Sequence, residues 1–321
     1  MIKPSLKSCL GHFHRLVEFA NRFGHCLRGR QLSFNSILIL FWAGKEMEKV
    51  DVTILGATPE EIAPLCTSFR PSSSSKIAGN PFSTYIYRDL KLLMGTTGVG
   101  KVNAAATAAA VLTSFKAGEV WNVGCAGAYG GSGLEIGDVL ISENCICADE
   151  GILRKEGPVS TRSLAIPLVL KDGQPFYDSF PIYEFLARKQ IRAILPAGMF
   201  STDPSGGIRP DDLPGEQGDS FAPGYCPEKK RRFRVQYGPS LTVGMASGDM
   251  DTADARFRSF HALAENMEGS AIAQTCLLFD VPFLEFRGIS NMAGVRDKAK
   301  WDFRAAMEHC LSVIKHLLDK R

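Results

Sequence analysis

Several features that would assign a metal, redox or membrane role are missing from this 321-residue sequence. Its nine cysteines include no Cys-x-x-Cys pair, the spacing that structural zinc sites and dithiol redox centres commonly use. Cys145 and Cys147 would share one face of a strand, where two small buried side chains are the ordinary outcome. The cysteine pattern is typical of a reducing compartment, so we expect a cytoplasmic protein without a zinc site.

The sequence also lacks a strong charge of either sign. Its 37 Lys and Arg residues stand against 34 Asp and Glu, which gives a formal net charge of +3. One dense basic cluster, Lys229–Arg232, lies close to Pro227 and is typical of a solvated loop. We therefore expect no nucleic-acid partner. The six histidines fall in the first 46 residues or in predicted helices, which disfavours a histidine general base.

The first 46 residues differ in composition from the rest of the chain. Basic residues outnumber acidic ones there, and the longest apolar run, Ile37–Ala43, is far shorter than the roughly 20 residues of a membrane helix. We therefore expect no membrane span. A strong strand pattern begins just after Met47, so residues 1–46 are interpreted as a disordered extension or a mispredicted start, with a targeting segment as the alternative. Residues 47–321 are predicted to form a single domain.

Strand-like and helix-like runs alternate from Val50 onward. The predicted strands are Val50–Leu55, Ser83–Tyr87, Lys91–Thr97, Glu119–Val123, Asp138–Cys147, Ser240–Ser247 and Phe283–Ser290. The predicted helices begin at Pro59 and cover Val102–Phe115, Thr252–Ala264, Gly269–Phe279 and Trp301–Leu318. This alternation predicts an α/β fold with helices covering a mostly parallel central sheet. Between about residues 150 and 240 Pro, Gly, Ser and Asp become frequent, which predicts a loop-rich insertion that could cover a substrate.

Gly95-Thr-Thr-Gly-Val-Gly-Lys101 matches the phosphate-cradling pattern between a strand and a helix. A nucleotide triphosphatase needs Ser or Thr at the next position to bind magnesium, and Val102 has no hydroxyl. A P-loop ATPase therefore remains only as an alternative. The glycines still allow backbone N–H groups at a helix start to approach an anion or a sugar closely.

Two acidic turns are candidates for chemistry. In Gly56-Ala-Thr-Pro-Glu-Glu61 the ordinary explanation is a capping box, with Thr58 as the N-cap residue and Glu61 three residues later. A carboxylate at the carboxyl end of a strand is also placed to activate a water molecule. Glu268, in Asn266-Met-Glu268-Gly, could merely favour a helix dipole, or it could accept hydrogen bonds from a ribose diol that gains positive charge.

A third candidate is Glu285-Phe-Arg-Gly-Ile-Ser-Asn291, a buried strand pattern that ends in a side-chain amide. An amide both donates and accepts hydrogen bonds, so Asn291 could read a purine base. Arg287 has two explanations, a structural ion pair with a helix carboxylate or a catalytic contact, and the sequence leaves both open.

Taken together, these segments resemble the purine nucleosidase and nucleoside phosphorylase superfamily from Val52 to the C-terminus. The segments found in the family's order and spacing are Gly56–Glu61, Thr97–Ala105, Asn122–Ala128, Ser247–Asp249, Asn266–Glu268 and Arg287–Asn291. The resemblance implies a three-layer α/β/α nucleoside phosphorylase-like fold with a twisted mixed central sheet. It also implies a homo-oligomer that acts on a small-molecule nucleoside and uses neither a metal nor an organic cofactor.

The resemblance to methylthioadenosine and adenosylhomocysteine nucleosidases further implies roles for individual residues. Glu61 would activate the attacking water, Met267 and Glu268 would hold the ribose, and Thr97 and Gly98 would lie near the water and the sugar. Phosphorolytic relatives carry an arginine in the first strand-to-helix turn. This chain has two carboxylates there, which would repel a phosphate dianion, so hydrolysis is favoured.

Asn291 departs from the adenine-specific pattern, in which an aspartate follows Ile-Ser. An amide can donate to O6 or N7 and accept from a purine N–H, so a 6-oxopurine fits better than adenine. With Arg296-Asp297 and Trp301-Asp302, the segment Arg287–Asn291 resembles the futalosine hydrolases, which release hypoxanthine from futalosine in an alternative menaquinone route. Asn291 cannot protonate the departing base, and Asp297 is one candidate donor. An adenine nucleosidase and a catalytically silent nucleoside-binding protein remain alternatives.

Overall fold

The computed structural model describes residues 47–67, 69–155, 157–202, 207–210 and 232–321. The predicted extension of residues 1–46 and the basic cluster up to residue 231 lie outside these ranges. Residues 49–321 group into one compact unit. In the part of the chain that is described, no helix is long and apolar enough to cross a membrane.

Sixteen strands and seven helices are present in the described residues. The strands are β1 (Glu48–Gly56), β2 (Pro71–Ile77), β3 (Asn80–Tyr87), β4 (Leu90–Thr96), β5 (Phe115–Ala128), β6 (Val139–Cys147), β7 (Gly151–Arg154), β8 (Gly157–Ser160), β9 (Val169–Lys171), β10 (Gln174–Phe176), β11 (Ser179–Pro181), β12 (Gly198–Thr202), β13 (Ile208–Pro210), β14 (Arg232–Thr242), β15 (Ala264–Asn266) and β16 (Phe283–Met292). The helices are α1 (Pro59–Thr67), α2 (Lys101–Ser114), α3 (Tyr183–Arg188), α4 (Ile191–Ile194), α5 (Met250–Phe260), α6 (Gly269–Phe279) and α7 (Phe303–Asp319).

A large mixed sheet forms the centre of the fold, with the strand order β13-β12-β14-β6-β16-β5-β1-β4-β3-β2. The pairs β1–β4, β5–β16 and β6–β14 are parallel, whereas β16 runs antiparallel to β6 and β3 antiparallel to β4. Trp121 on β5 and Phe286 on β16 are completely buried, with ring centroids 5.4 Å apart. Apolar side chains on both faces of these central strands require helices to cover them.

The helices supply that cover in two groups. Helix α7 packs against α1, β5 and β16, and its buried face includes Ala306, Cys310 and Ile314. Helix α6 packs against α2, β6 and β14 through residues such as Ile272 and Cys276. The predicted three-layer α/β/α arrangement with a mixed central sheet is confirmed.

Several elements differ from the sequence-based expectations. The predicted strand Ser240–Ser247 is wrong in its bounds, because β14 begins at Arg232 and ends at Thr242. Strand β2 was not predicted. It pairs with β3 but is almost fully exposed, so its sequence does not alternate apolar and polar residues. The stretch predicted as a loop-rich insertion carries short strands and two short helices, and buries Phe180 and Phe200 in the main core.

Candidate active site

Glu61 lies in the first turn of α1, shortly after the end of β1. Its Oε2 atom accepts hydrogen bonds from the backbone N–H groups of Ala57 at 2.7 Å and Thr58 at 3.1 Å. Its Oε1 atom accepts from the N–H of Cys125 on β5 at 3.0 Å, and only 4% of the residue is exposed. The bond to Thr58 is the glutamate half of the predicted capping box. Three backbone donors therefore fix this carboxylate at the carboxyl end of β1.

A glycine on β5 makes room for a close approach of charged groups. A Cβ atom on Gly124 would stand 2.6 Å from Oε1 of Glu61 and 2.6 Å from Nη1 of Arg287. Any side chain at this position would collide with both groups. The absence of one lets the Glu61 carboxylate and the Arg287 guanidinium lie against the same stretch of strand.

Glu268 stands at the start of α6 and contacts the start of α2. Its Oε1 atom accepts a hydrogen bond of 2.8 Å from the N–H of Gly100, the residue before α2, and Glu268 is 5% exposed. The glycine has φ of +93°, a conformation that L side chains rarely adopt. Burial raises the pKa of Glu268, and the negative charges of Glu61 and Glu285 add to this increase, against the opposing effects of Arg287 and the Gly100 N–H.

In the phosphate-cradling motif Gly95–Lys101, the groups that would bind a phosphate bind carboxylates of the protein instead. The Gly100 N–H binds Glu268, and Lys101 Nζ lies 2.6 Å from Asp149 Oδ1 and 3.5 Å from Glu150 Oε1. Both the backbone and the lysine that would hold a nucleotide phosphate already have anionic partners. This arrangement gives the P-loop alternative no support.

Arg287 and Glu285 form a buried ion pair on β16. They are 1% and 0% exposed, and Arg287 Nη2 donates to Glu285 Oε2 at 2.8 Å. Residues two apart on a strand share a face, so the pair lies on one side of the sheet. Burial alone would lower the pKa of Arg287, but the charges of Glu285, Glu268 and Glu61 outweigh burial and raise it. The guanidinium therefore stays protonated.

The turns around the two glutamates are joined by backbone hydrogen bonds. The N–H of Thr97 donates to the Gly56 carbonyl at 2.8 Å, and the N–H of Gly98 donates to the Ala57 carbonyl at 3.0 Å. These bonds hold the loop before α2 against the turn that carries Glu61. Thr97 and Gly98 thus lie beside Glu61, and Gly100 in the same loop reaches Glu268.

Met267 and Asn266 complete the second acidic turn. Met267 is half-buried, and the neighbouring Asn266 was not singled out by the sequence analysis. Asn266 Oδ1 accepts from the N–H groups of Glu268 at 3.0 Å and Gly269 at 2.8 Å. An asparagine just before a helix is a common capping signal, so the pattern could have identified this role.

Asn291 lies near the end of β16, opposite Gly127 of β5. Its Oδ1 atom accepts a hydrogen bond from Ser290 Oγ at 2.9 Å, and its Nδ2 atom donates to the Met292 carbonyl at 2.9 Å. An amide has two N–H donors and two acceptor lone pairs, so Asn291 can donate and accept one more bond each. Asp297, the candidate proton donor, is exposed and accepts a bond from the Ala299 N–H as a capping residue.

Comparison with known proteins gives the family. The model of the phosphorylase superfamily matches residues 51–320. The chain belongs to the phosphorylase superfamily.

Individual relatives of this superfamily member include two kinds of nucleosidase. The chain is 29% identical over 245 residues to a futalosine hydrolase of Thermus thermophilus, a match that covers 75% of this chain and 89% of that protein. It is 26% identical over 257 residues to a 5'-methylthioadenosine/S-adenosylhomocysteine nucleosidase of Staphylococcus aureus, covering 80% of this chain and 92% of that one.

Solved structures of the superfamily show the same fold. A futalosine hydrolase of Helicobacter pylori superposes with a TM-score of 0.62 at 19% identity, over 86% of this chain and 99% of that one. A methylthioadenosine/adenosylhomocysteine nucleosidase of Colwellia psychrerythraea in complex with adenine superposes with a TM-score of 0.62 at 20% identity, over 86% and 97% of the two chains.

Chemically, the site of this superfamily member contains two buried carboxylates. The Asn291 amide lies opposite Gly127, two residues after the Cys125 whose N–H binds Glu61. Glu61 and Glu268 face a region that also contains the Arg287 guanidinium, whose hydrogen bond goes to Glu285. Such a site can take a proton from water at one carboxylate and stabilise positive charge at the other. The prediction that a helix carboxylate pairs with Arg287 was wrong, because the partner is Glu285 on the same strand. An acid two residues before an arginine in an apolar strand is a recognisable signal for such a pair.

Proposed function

We propose that this member of the phosphorylase superfamily hydrolyses the N-glycosidic bond of a purine nucleoside. The observation that carries the proposal is the pair Glu61 and Glu268, two buried carboxylates held by backbone N–H groups of adjacent turns. Fixed carboxylates cost no reorganisation when positive charge develops beside them, which is what cleavage at a ribose carbon requires.

In the proposed reaction the bond between the ribose carbon C1' and the base nitrogen breaks, and its electron pair leaves with the base. Glu268 stabilises the resulting cationic sugar. Water attacks C1' and transfers a proton to Glu61, while the departing base takes a proton from solvent. Glu61 then releases its proton to solvent. Met267, Thr97 and Gly98 line the sugar side in this scheme. General acid or base assistance of this kind contributes about two to four orders of magnitude in rate.

Water rather than phosphate is the proposed nucleophile. A phosphate dianion beside Glu61 and Glu268 would meet two negative charges. Of the nearby cations, Arg287 is hydrogen-bonded to Glu285, and Lys101 is ion-paired with Asp149. Both positive charges are already neutralised by a carboxylate, so neither offsets the repulsion between a phosphate and the two glutamates.

The proposed base is a 6-oxopurine, and the proposed substrate is futalosine, with hypoxanthine as the released base. Asn291 retains one N–H and one acceptor lone pair, which suit O6 or N7 and a purine N–H. The futalosine hydrolase of T. thermophilus, at 29% identity, supports this choice. The reaction would then serve the alternative menaquinone route implied by that resemblance.

A second candidate is an adenine nucleosidase that cleaves methylthioadenosine. The S. aureus nucleosidase favours it, because that match covers 80% of this chain. Against it stands Asn291, since an amide cannot supply the proton that an aspartic acid can share with N7.

The two candidates are separated by incubating the protein with futalosine, aminofutalosine, methylthioadenosine and inosine, with and without phosphate, and measuring the released base by chromatography. We expect hypoxanthine from futalosine at a rate that phosphate does not increase. Adenine from methylthioadenosine without hypoxanthine from futalosine would refute the 6-oxopurine assignment. A rate that depends on phosphate would instead identify a phosphorylase.

A further inference from the structure

We infer that Glu285 is a positioning residue. It binds the Arg287 guanidinium, and as a result Arg287 forms no direct ion pair with Glu61 or Glu268. The inference rests on the proposed function, in which both glutamates act on the nucleoside. It assigns a role to a residue that contacts neither the sugar nor the base.

The Glu285 side chain is hydrogen-bonded to residues on several strands of the sheet. It is completely buried and accepts hydrogen bonds from side chains on three other strands of the sheet as well as from Arg287. The side-chain donors other than Arg287 are Asn122 on β5 at 3.0 Å, Ser142 on β6 at 2.7 Å, Cys145 on β6 at 3.4 Å and Ser240 on β14. Burial would raise the pKa of Glu285, but the charge of Arg287 and the hydrogen bonds from Ser240, Arg287 and Ser142 lower it overall. The site thus holds a permanent negative charge.

Glu285 also borders the turn that carries Glu268. A Cβ atom on Gly269, the residue after Glu268, would overlap Oε2 of Glu285. The glycine is therefore required for the start of α6 to lie against the Glu285 carboxylate. Through this contact and through Arg287, Glu285 is adjacent to both candidate catalytic carboxylates.

The orientation of Arg287 follows from this anchor. Its Nη2 atom donates to Glu285, and its Nη1 atom lies at the Gly124 position that Glu61 Oε1 also approaches. An uncompensated buried guanidinium is strongly unfavourable, so without Glu285 the arginine would move towards Glu61 or Glu268. A carboxylate in such a pair is less basic and stabilises a cationic sugar less.

The remaining titratable groups around Arg287 do not alter this balance. The groups that face the ion pair from the elements packed against it are Glu61 on α1, Cys125 on β5, Cys145 on β6, Glu268 before α6 and Cys310 on α7. Burial raises the pKa of the Cys125 and Cys310 thiols to about 12 and that of Cys145 well above its usual value. The thiols are neutral at pH 7, so the single guanidinium of Arg287 faces the three carboxyl groups of Glu61, Glu268 and Glu285.

The test compares Glu285→Gln with Ser142→Ala. Glu285→Gln keeps the volume of the side chain but removes its charge, whereas Ser142→Ala removes one neutral donor and leaves the charge. The negative charge of Glu285 raises the pKa of Glu268, so its loss lowers that pKa. We expect Glu285→Gln to move the acid limb of the kcat/KM profile to lower pH by about one unit and to reduce kcat about tenfold. Ser142→Ala should leave the limb in place.

A second measurement does not depend on turnover. The carboxyl signals of glutamate are followed by 13C NMR through a pH titration, with Glu268 assigned from Glu268→Gln. In Glu285→Gln we expect the Glu268 signal to titrate at lower pH than in the wild type. If Glu285→Gln does not fold, Glu285→Asp, which keeps the charge but withdraws it by one methylene, should show a smaller shift in the same direction.

The outcomes separate the inference from the proposed function. The inference alone would be overturned if the wild type is active but the Glu285 variants show the same acid limb and the same Glu268 titration as the wild type. Failure of the wild type to release a base from any of the nucleosides would refute the proposed function, and the NMR titration would still decide whether Glu285 controls the proton affinity of Glu268.

Discussion

The N–H of Gly100 donates a 2.8 Å hydrogen bond to Oε1 of Glu268, and this bond joins the starts of α2 and α6. The amino end of a helix carries partial positive charge and unpaired N–H groups, so it favours an anion. In this protein the anion is a side chain of its own. A sequence motif that suggests phosphate binding therefore serves to position a carboxylate.

The first prediction tests this bond through Gly100→Ala. Gly100 has φ of +93° and ψ of 159°, a region that is essentially restricted to glycine and that costs other residues about 1–3 kcal/mol. Relief of that strain would move the N–H away from Glu268. We expect a clear loss of kcat in the base-release assay, with a moderate decrease in melting temperature.

Gly173→Ala is the matched control. Gly173 has φ of +77° in the turn between β9 and β10, and a Cβ atom there would meet no atom within 4 Å. This substitution also forces a positive φ on an L residue, and Gly173 lies far from both glutamates in sequence. Equal losses of activity in both variants would show that strain alone, and not the bond to Glu268, explains the effect.

The second prediction concerns Glu61→Gln. Glutamine keeps the size of the side chain and one oxygen for the backbone donors, but it cannot take a proton from water. We expect kcat to fall by about two to four orders of magnitude with little change in the fold, measured by base release and circular dichroism. Glu60→Gln, at the exposed neighbouring position, should retain nearly full activity. An active Glu61→Gln enzyme would exclude Glu61 as the base.

Local signals in the sequence were enough to single out Glu61 and Glu268 as candidates, because each lies at a junction of a strand or turn with a helix. The Glu285 network was not predictable in the same way. Its donors Ser142 and Ser240 lie 143 and 45 residues away, and only the pairing of β6, β14 and β16 brings them together. The start of β14 was missed although Arg232-Phe-Arg-Val235 alternates polar and apolar residues, a pattern that does indicate a strand.

The third prediction is that Asn291→Asp moves substrate preference towards adenine nucleosides. An aspartate at this position can still accept from Ser290 Oγ, but its other oxygen would face the Met292 carbonyl that now receives an N–H. Two oxygens in contact favour a protonated acid, which can share its proton with N7 of adenine. We expect higher kcat/KM for methylthioadenosine and lower kcat/KM for futalosine.

Ser290→Ala is the companion variant for this position. It removes the bond to Oδ1 of Asn291 without changing the amide, so it should weaken the futalosine reaction without creating activity on methylthioadenosine. A gain of adenine nucleoside cleavage in Ser290→Ala would show that loosening of the strand end, rather than the chemistry of residue 291, sets the preference.

The fourth prediction uses the opposite pKa shifts of two buried glutamates. The pKa of Glu268 is raised in the folded protein, so its contribution to stability is complete below the unfolded value of about 4.3 and is lost as pH rises through the folded value. The pKa of Glu285 is lowered, so its contribution is present above about 4.3 and is lost as pH falls through its folded value.

Glu268→Gln should therefore raise the melting temperature relative to the wild type more at pH 7 than at pH 4. Glu285→Gln should lower it at pH 7, and the difference should shrink at acidic pH. Differential scanning calorimetry between pH 4 and pH 7 measures both. Glu268 destabilises the folded protein at neutral pH, which fits a role in the reaction. Glu285 stabilises it, which fits a role in positioning the charged groups around it. Parallel pH dependence in the two variants would contradict this division between Glu268 and Glu285.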